Sequence, residues 1–144
     1  MNRPVQPFAL PKALPPDLRD LLSHWQKLRR GGNAIPFWDD VALTDMREIA
    51  PRLMLIDGLA HPDRYRIGVA GSDIVAWYGE GIEGLFAEQI EHHPLFQFFL
   101  PQCAVTVERG AGTLHRTKTY ARLLLPLWGE GRISMLLGGF AWAA

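Results

Sequence analysis

The sequence YRIGVAGSDIVAWYGEGIEGLF, residues 65–86, decides the fold class. Its first residues alternate between the two sides of an extended chain, with apolar side chains at Tyr65, Ile67 and Val69. This period of two predicts a half-buried strand. Residues 73–78 then predict one short helical turn, because Ile74 and Trp77 lie three residues apart on one face. Three glycines follow within six residues, too densely for a long helix.

The flanking sequence predicts further strands on both sides of this segment. Residues 53–59 and 64–70 read as two strands joined by a turn at His61-Pro62-Asp63. Residues 90–107 hold the longest apolar helix candidate, in which Pro101 is expected to cause a kink or an end. Three strands close the chain, at 111–116, 119–128 and 132–142. We therefore predict an α+β fold, with a five-stranded antiparallel sheet covered on one face by the helices between residues 71 and 107.

The N-terminal part divides into an arm and a helix. Residues 1–15 predict an extended, proline-rich arm, and residues 16–144 predict a single domain. The helix begins near Pro16, with Asp17 as its cap. Its apolar residues keep helical spacing, at Leu18, Leu21, Leu22, Trp25 and Leu28. We expect this helix to cap the open sheet face or to pair with a second copy. For a homodimer, the predicted interface residues are Leu18, Leu21, Leu22 and Trp25.

Composition excludes several classes of protein. The formal net charge is zero, so nothing points to a nucleic-acid surface. The single cysteine, Cys103, excludes an internal disulfide and fits a reducing compartment. No apolar run approaches the roughly 20 residues that span a bilayer. The first residues contain prolines where a signal peptide would be basic and then apolar. We expect a soluble cytoplasmic protein without a membrane contact.

The order of elements resembles a PAS domain: two strands, short helices, a longer helix, then three strands. The likeness is greater to a small PAS-like family of alphaproteobacteria, often found as single-domain proteins. It rests on five short matches in the correct order. These are Trp25 with Arg30-Gly31 and Pro36, Ala50-Pro51-Arg52-Leu53, Tyr65-Arg66-Ile67 with Ala70-Gly71 and Ile74, Gly79 with Ile82 and Gly84, and Leu123-Leu124-Leu125-Pro126-Leu127 with Gly131 and Gly138. The likeness covers about residues 20–142.

The resemblance implies that a small apolar or aromatic ligand is held between the helices and the inner face of the sheet. A concave apolar site of this kind suits a small ligand. The candidate lining residues are Tyr65, Trp77, Phe86, Phe96, Phe99, Cys103, Leu124 and Leu137. The alternative is that the same side chains fill a close-packed core. The sequence does not indicate a cofactor.

These observations are consistent with two functions, one of a binding module and one of an enzyme or carrier. The first is a non-enzymatic sensory or signalling module that binds a small ligand, a signalling protein partner, or both. The alternative is a small enzyme or carrier of the nuclear-transport-factor-like cone fold, which normally sets an Asp or a His at the mouth of a deep pocket. The two long C-terminal strands carry no acid and no His within their apolar runs. This favours the first function.

The residues whose side chains could take part in catalysis or bind a metal ion do not form a recognisable catalytic or metal-binding motif. His92 and His93 are adjacent, so they point about 100° apart on a helix and cannot share one metal ion. We interpret them as a solvated cap. His24 is expected to face a partner, and Cys103 to be an inert buried residue. Asp39-Asp40 are expected to cap or to be solvated.

Overall fold

The computed structural model describes residues 7–60 and 63–143. Most of the predicted turn at residues 61–63, and residues 1–6 of the predicted arm, lie outside the described residues. The α-helices are α1 (Pro16–Lys27), α2 (Ser72–Tyr78), α3 (Ala87–Ile90) and α4 (Phe99–Arg109). The strands are β1 (Leu53–Leu59), β2 (Arg64–Ala70), β3 (Thr113–Arg116), β4 (Tyr120–Gly129) and β5 (Arg132–Trp142). Short 3₁₀ turns lie at Trp38–Asp40, Leu43–Met46, Ala50–Arg52 and Pro94–Phe96.

The five strands form one antiparallel sheet in the order β2-β1-β5-β4-β3. The predicted α+β class and five-stranded antiparallel sheet are therefore confirmed. The β4–β5 hairpin closes at Glu130 and Gly131, whose φ angles are 55° and 75°. Two successive positive φ angles are what a tight two-residue hairpin turn requires. The last strand, which is nearly all apolar, becomes the centre of the sheet.

Other segments of the chain cover both outer edges of the sheet. On β2, the Ile67 amide donates to the carbonyl of Leu85 at 2.9 Å, and the Gly84 amide donates to the carbonyl of Ile67 at 2.7 Å. On β3, the Leu114 amide donates to the carbonyl of Phe8 at 3.1 Å. Unpaired strand edges invite pairing with other chains, so this cover protects the sheet.

The sheet separates two apolar layers. Because successive side chains of a strand point to opposite faces, Leu136 and Phe140 of β5 pack beneath α2–α4, whereas Leu137 packs beneath α1. Gly138 and Gly139 lie between them on the same strand. A Cβ atom at Gly139 would lie 2.6 Å from Cδ2 of Leu21, so the absent side chain lets α1 approach the sheet closely.

The predicted long helix at residues 90–107 is wrong. The chain forms α3, a 3₁₀ turn at Pro94–Phe96 and then α4, which begins only at Phe99. The break lies at Phe98, where φ is 59°, a left-handed conformation that helices do not continue. Pro101 consequently falls in the first turn of α4, where its missing N–H costs nothing.

Two smaller predictions also need correction. Asp17 does not cap α1, since no side chain caps that helix, and its carboxylate instead pairs with Arg52 in the segment before β1. The third strand begins at Thr113 rather than at residue 111. The predicted bounds of β1, β2 and β5 match the structure.

Candidate functional site

Five of the eight predicted lining residues meet in one buried cluster. Tyr65, Phe96, Phe99, Cys103 and Leu124 all belong to the layer between the sheet and α2–α4. The rings of Phe96 and Phe99 meet edge to face at a centroid distance of 5.1 Å, and Phe140 meets Phe96 at 5.8 Å. Such edge-to-face contacts are the preferred aromatic packing. In this layer, these side chains pack against one another at the place where a ligand was predicted.

The other three predicted lining residues lie elsewhere. Leu137 packs in the layer beneath α1, so its assignment to the same face as Leu124 is wrong. Trp77 is 52% exposed and stacks on Trp142 at 4.6 Å with parallel rings. Phe86 lies at the outer edge of β2, where the Arg64 guanidinium covers its ring at 3.5 Å. These three residues do not share a site with the buried cluster.

A buried arginine holds together the layer between the sheet and α2–α4, which we call the helix-covered layer. The Arg122 side chain is fully buried on β4. Its Nη1 donates to the carbonyl of Leu95 at 3.0 Å and its Nη2 to the carbonyl of Gln97 at 2.9 Å. Its Nε donates to Oε1 of Gln102 at 2.8 Å. These bonds fix the turn that contains the left-handed Phe98, and Arg122 forms no ion pair with any described carboxylate.

The arginine is part of a larger buried polar network. Gln102 donates from Nε2 to Oγ1 of Thr113 at 3.1 Å and to the carbonyl of Arg122 at 3.1 Å. Thr106 and Thr113 share a hydroxyl hydrogen bond of 2.6 Å. All four residues are buried and hydrogen-bonded, as buried polar groups must be to avoid a desolvation cost. The network therefore ties α4 to β3 and β4.

Three titratable groups of this layer have pKa values shifted by burial, and all three keep their ordinary forms at neutral pH. Burial lowers the pKa of Arg122 to about 10, so the guanidinium remains charged at pH 7. Burial raises the pKa of Tyr65 to about 12. Burial also raises the pKa of the Cys103 thiol far above its usual range. A reactive cysteine needs an accessible thiolate, so Cys103 lacks the properties of a nucleophile.

His115 lies on β3, close to the described end of the N-terminal arm. Its ring lies 6.0 Å from Phe8 and 5.7 Å from Phe98, two residues with positive φ angles. Its Nε2 atom is buried and has no hydrogen-bond partner among the described residues. Burial, with a smaller contribution from the charge of Arg122, lowers the pKa of His115 to about 4. The imidazole is therefore neutral at pH 7.

Helix α1 covers the opposite face of the sheet. Leu18, Leu21 and Trp25 are buried there, and the indole Nε1 of Trp25 donates to the carbonyl of Pro126 at 2.8 Å. The predicted capping role of the helix is confirmed. Since three of the four predicted interface residues are covered by the chain's own sheet, they offer little surface to a second copy. The homodimer remains a prediction, and it would need other residues.

A polar groove lies beside α1. It encloses about 520 Å³ between the helix and residues 44–49. The helix contributes Asp20, Ser23, His24 and Lys27. The opposite wall contributes Thr44, Asp45, Met46, Arg47, Glu48 and Ile49. Ligand pockets commonly enclose about 300–1,000 Å³, so the groove has a suitable size for a small ligand.

One of the residues that line the groove, His24, has an unsatisfied polar atom. Nε2 of His24 is buried and has no hydrogen-bond partner among residues 7–60 and 63–143. Most buried polar atoms in proteins are paired, so an unpaired one is informative. An imidazole nitrogen can accept or donate a hydrogen bond according to its tautomer. Because this atom is buried, a molecule in the groove would instead meet the exposed side chains of Asp20, Ser23 and Lys27.

The remaining sequence candidates have local roles. His93 accepts the Leu95 amide at 3.1 Å through Nδ1, so it caps the 3₁₀ turn at Pro94, and burial lowers its pKa. Asp40 pairs with Arg30, whose guanidinium lowers the pKa of that carboxyl. Within the described ranges, no three His, Cys, Asp or Glu residues are grouped so that they could hold a metal ion.

Neither the buried network nor the groove was predicted from the sequence. Arg122 shares the strand periodicity of Tyr120 and Leu124, which placed its side chain on the buried face. Asp20, Ser23, His24 and Lys27 follow the spacing of one helical face. Only the position of the opposite wall, which sequence periodicity does not reveal, makes that face part of a groove.

Comparisons with protein-family models, with curated proteins and with solved structures found no match for this chain. The class that the described residues define is an α+β fold, with one five-stranded antiparallel sheet and four α-helices. In these parts of the chain, every helix is too short or too polar to cross a bilayer.

Proposed function

We propose that this protein is a non-enzymatic, PAS-like sensory module that binds a small ligand, with the groove beside α1 as its binding site. The observation that carries the proposal is the groove of about 520 Å³, whose walls carry both signs of charge next to hydroxyl and apolar side chains. A concave site with a few convergent polar groups is the usual form of a ligand site.

The position of the groove suits a sensor, because both walls are attached to the sheet. Helix α1 packs on β4 and β5 through Leu21 and Trp25. The opposite wall is anchored by Met46, which belongs to the same apolar layer. An ion pair joins Asp17 of α1 to Arg52, which lies in the 3₁₀ turn between the opposite wall and β1. A ligand that moved one wall would therefore change the packing of the sheet.

The order of elements also supports the PAS-like part of the proposal. Two strands, short helices, a longer helix and three strands follow one another along the chain, which is the order that the resemblance implies. A fold alone does not define a function. For this reason the proposal depends on the groove rather than on the order of elements.

The helix-covered layer gives less support to the alternative function, a small enzyme or carrier of the nuclear-transport-factor-like cone fold. That fold would place an acid or a histidine at a deep pocket between helices and sheet. Here Phe96, Phe99 and Phe140 fill the centre of this layer. The fully buried polar side chains among the described residues are Gln102, Thr106, Thr113 and Arg122. They bond to one another and to backbone carbonyls, and none of them is a general acid or base of the expected kind.

Native mass spectrometry of freshly purified protein tests the proposal. We expect a small molecule to accompany the wild type and to be lost from Ser23→Trp, which fills the groove. Gln26→Trp is the matched control, because residue 26 is exposed on the same helix and does not line the groove. An adduct that survives in Ser23→Trp, or a wild type that carries none and whose melting temperature no compound in a metabolite library raises, would contradict the proposal.

A further inference from the structure

The polar residues of α1 form a line along the groove. Asp20 and Lys27 are seven residues apart, so they lie on nearly the same face of the helix. At 1.5 Å per residue, their Cα atoms are separated by about 10 Å along the axis. The line therefore has a negative end and a positive end. Both side chains are exposed, and neither forms an ion pair within the described residues.

The middle of the groove has a different chemistry. Ser23 and His24 lie between the two charged ends, with the buried Nε2 of His24 unpartnered. Thr44 supplies a hydroxyl from the opposite wall. Met46 is only 7% exposed and lines the groove together with the half-buried Ile49. The centre thus offers hydrogen-bonding groups next to an apolar surface.

We infer that the groove binds a short peptide of about three residues with both ends free. An extended chain advances about 3.3–3.6 Å per residue, so three residues cover about 10 Å. The peptide's ammonium would lie at Asp20 and its carboxylate at Lys27. Its central amide would lie beside Ser23, and its central side chain would contact Met46 and Ile49. This inference rests on the proposed function and specifies the ligand of the same site.

A single amino acid fits this arrangement less well. Its ammonium and carboxylate are bonded to the same carbon atom, so they cannot reach both ends of a line of about 10 Å. A segment inside a longer protein also fits less well, because it has no terminal charges to place at Asp20 and Lys27. The opposite wall carries Asp45, Arg47 and Glu48 and therefore also presents both signs of charge. The opposite charges of Asp20 and Lys27 at the two ends of the α1 line, rather than the mixed charges of this wall, favour a ligand with two free, opposite ends.

Isothermal titration calorimetry of the full chain with Ala-Leu-Ala tests the inference. We expect binding with one site per chain. The N-acetylated tripeptide, the tripeptide amide and free leucine should each bind at least about five-fold more weakly, because each lacks one terminal contact or the required length. A fourth ligand, the tripeptide that is both N-acetylated and C-amidated, has no terminal charges. If it binds with the same affinity as the free tripeptide, the inference is overturned in favour of an internal protein segment.

Two variants locate the ends of the peptide. Asp20→Asn should weaken binding of the free tripeptide at least about five-fold while hardly affecting the N-acetylated form. Lys27→Gln should weaken binding of the free tripeptide at least about five-fold while hardly affecting binding of the tripeptide amide. Glu80→Gln and Lys118→Gln change exposed charges outside the groove and should leave affinity unchanged. Circular dichroism melts would verify that all four variants fold.

The outcomes separate this inference from the proposed function. If neither Asp20→Asn nor Lys27→Gln changes the affinity for the tripeptide, the peptide lies elsewhere and the inference is wrong. If no peptide binds, but a native adduct is lost from Ser23→Trp, the inference fails and the proposed function stands. If no peptide binds, no adduct is found and no compound in the metabolite library raises the melting temperature, both fail.

Discussion

The two faces of the sheet are covered in different ways. The face beneath α2–α4 is closed by several short elements, by interlocking aromatic rings and by a buried polar network centred on Arg122. The face beneath α1 is covered by one helix, whose buried contacts are Leu18, Leu21 and Trp25. Beside that helix lies the groove of about 520 Å³.

Under the proposed function, this difference divides stability and binding between the two faces. Every hydrogen bond of the buried network adds a geometric requirement, so the helix-covered layer has few alternative arrangements. A single amphipathic helix held mainly by apolar contacts can shift with a smaller loss of directed interactions. Under the proposed function, the face that the sequence suggested as a ligand pocket is thus the more constrained one, and the ligand binds beside the helix that covers the other face.

The largest effect is expected for Arg122→Met. This change removes the donors for the carbonyls of Leu95 and Gln97 and for the side chain of Gln102, and each unpaired buried acceptor costs about 1–3 kcal/mol. We expect the free energy of unfolding to fall by about 3–5 kcal/mol in urea titrations. Arg116→Met, at an exposed site on β3, should change it by less than about 0.5 kcal/mol. Equal stability of the two variants would mean that the network does not hold the layer.

A smaller effect is expected beneath α1. Gly139→Ala places a methyl group 2.6 Å from Cδ2 of Leu21 and 3.2 Å from Cδ2 of Leu53, so the helix or these side chains must move. Overpacking of this kind typically costs about 1–3 kcal/mol. Gly32→Ala is the matched control, since no atom lies within 4 Å of its added Cβ. If thermal melts of Gly139→Ala and the wild type coincide, α1 does not pack as closely as the structure has it.

The smallest effect concerns pH and the contact between the arm and β3. The pKa of His115, about 4, lies below its unfolded value of about 6.5, so the unfolded chain binds this proton at a higher pH. Stability should therefore fall as the pH drops from about 6.5 towards 4, by about 1–2 kcal/mol after allowance for solvent screening. Urea titrations across this range, compared with His115→Phe, isolate the effect. Parallel pH profiles of the two proteins would show that His115 is not buried as described.

The sequence was most informative for the strands. Alternation over residues 53–59 and 64–70, and the long apolar run that ends the chain, predicted β1, β2 and β5 with their observed bounds. These signals are local, because the pleat of a strand imposes the same period wherever it lies. The helical spacing of Leu18, Leu21 and Trp25 predicted the cap in the same way.

Long-range contacts explain what the sequence did not reveal. The left-handed turn at Phe98 is held by hydrogen bonds from Arg122, about 25 residues further along the chain. The pairing of β4 with β5 sets Leu125, not Leu124, opposite Leu137, so Leu124 and Leu137 point to opposite faces. A shift of one residue in register exchanges the two faces of a strand. Pairing register cannot be read from either strand alone.

The central claim, that ligands bind beside α1 and not within the helix-covered layer, is tested most directly by amide NMR with a fragment library. Backbone amide shifts would be recorded for the wild type with each fragment that binds. The predicted result is that shift changes cluster in residues 20–27 and 43–49. Changes centred on residues 95–103 and 120–124 would contradict it, because they would place the binding site inside the layer that Arg122 closes.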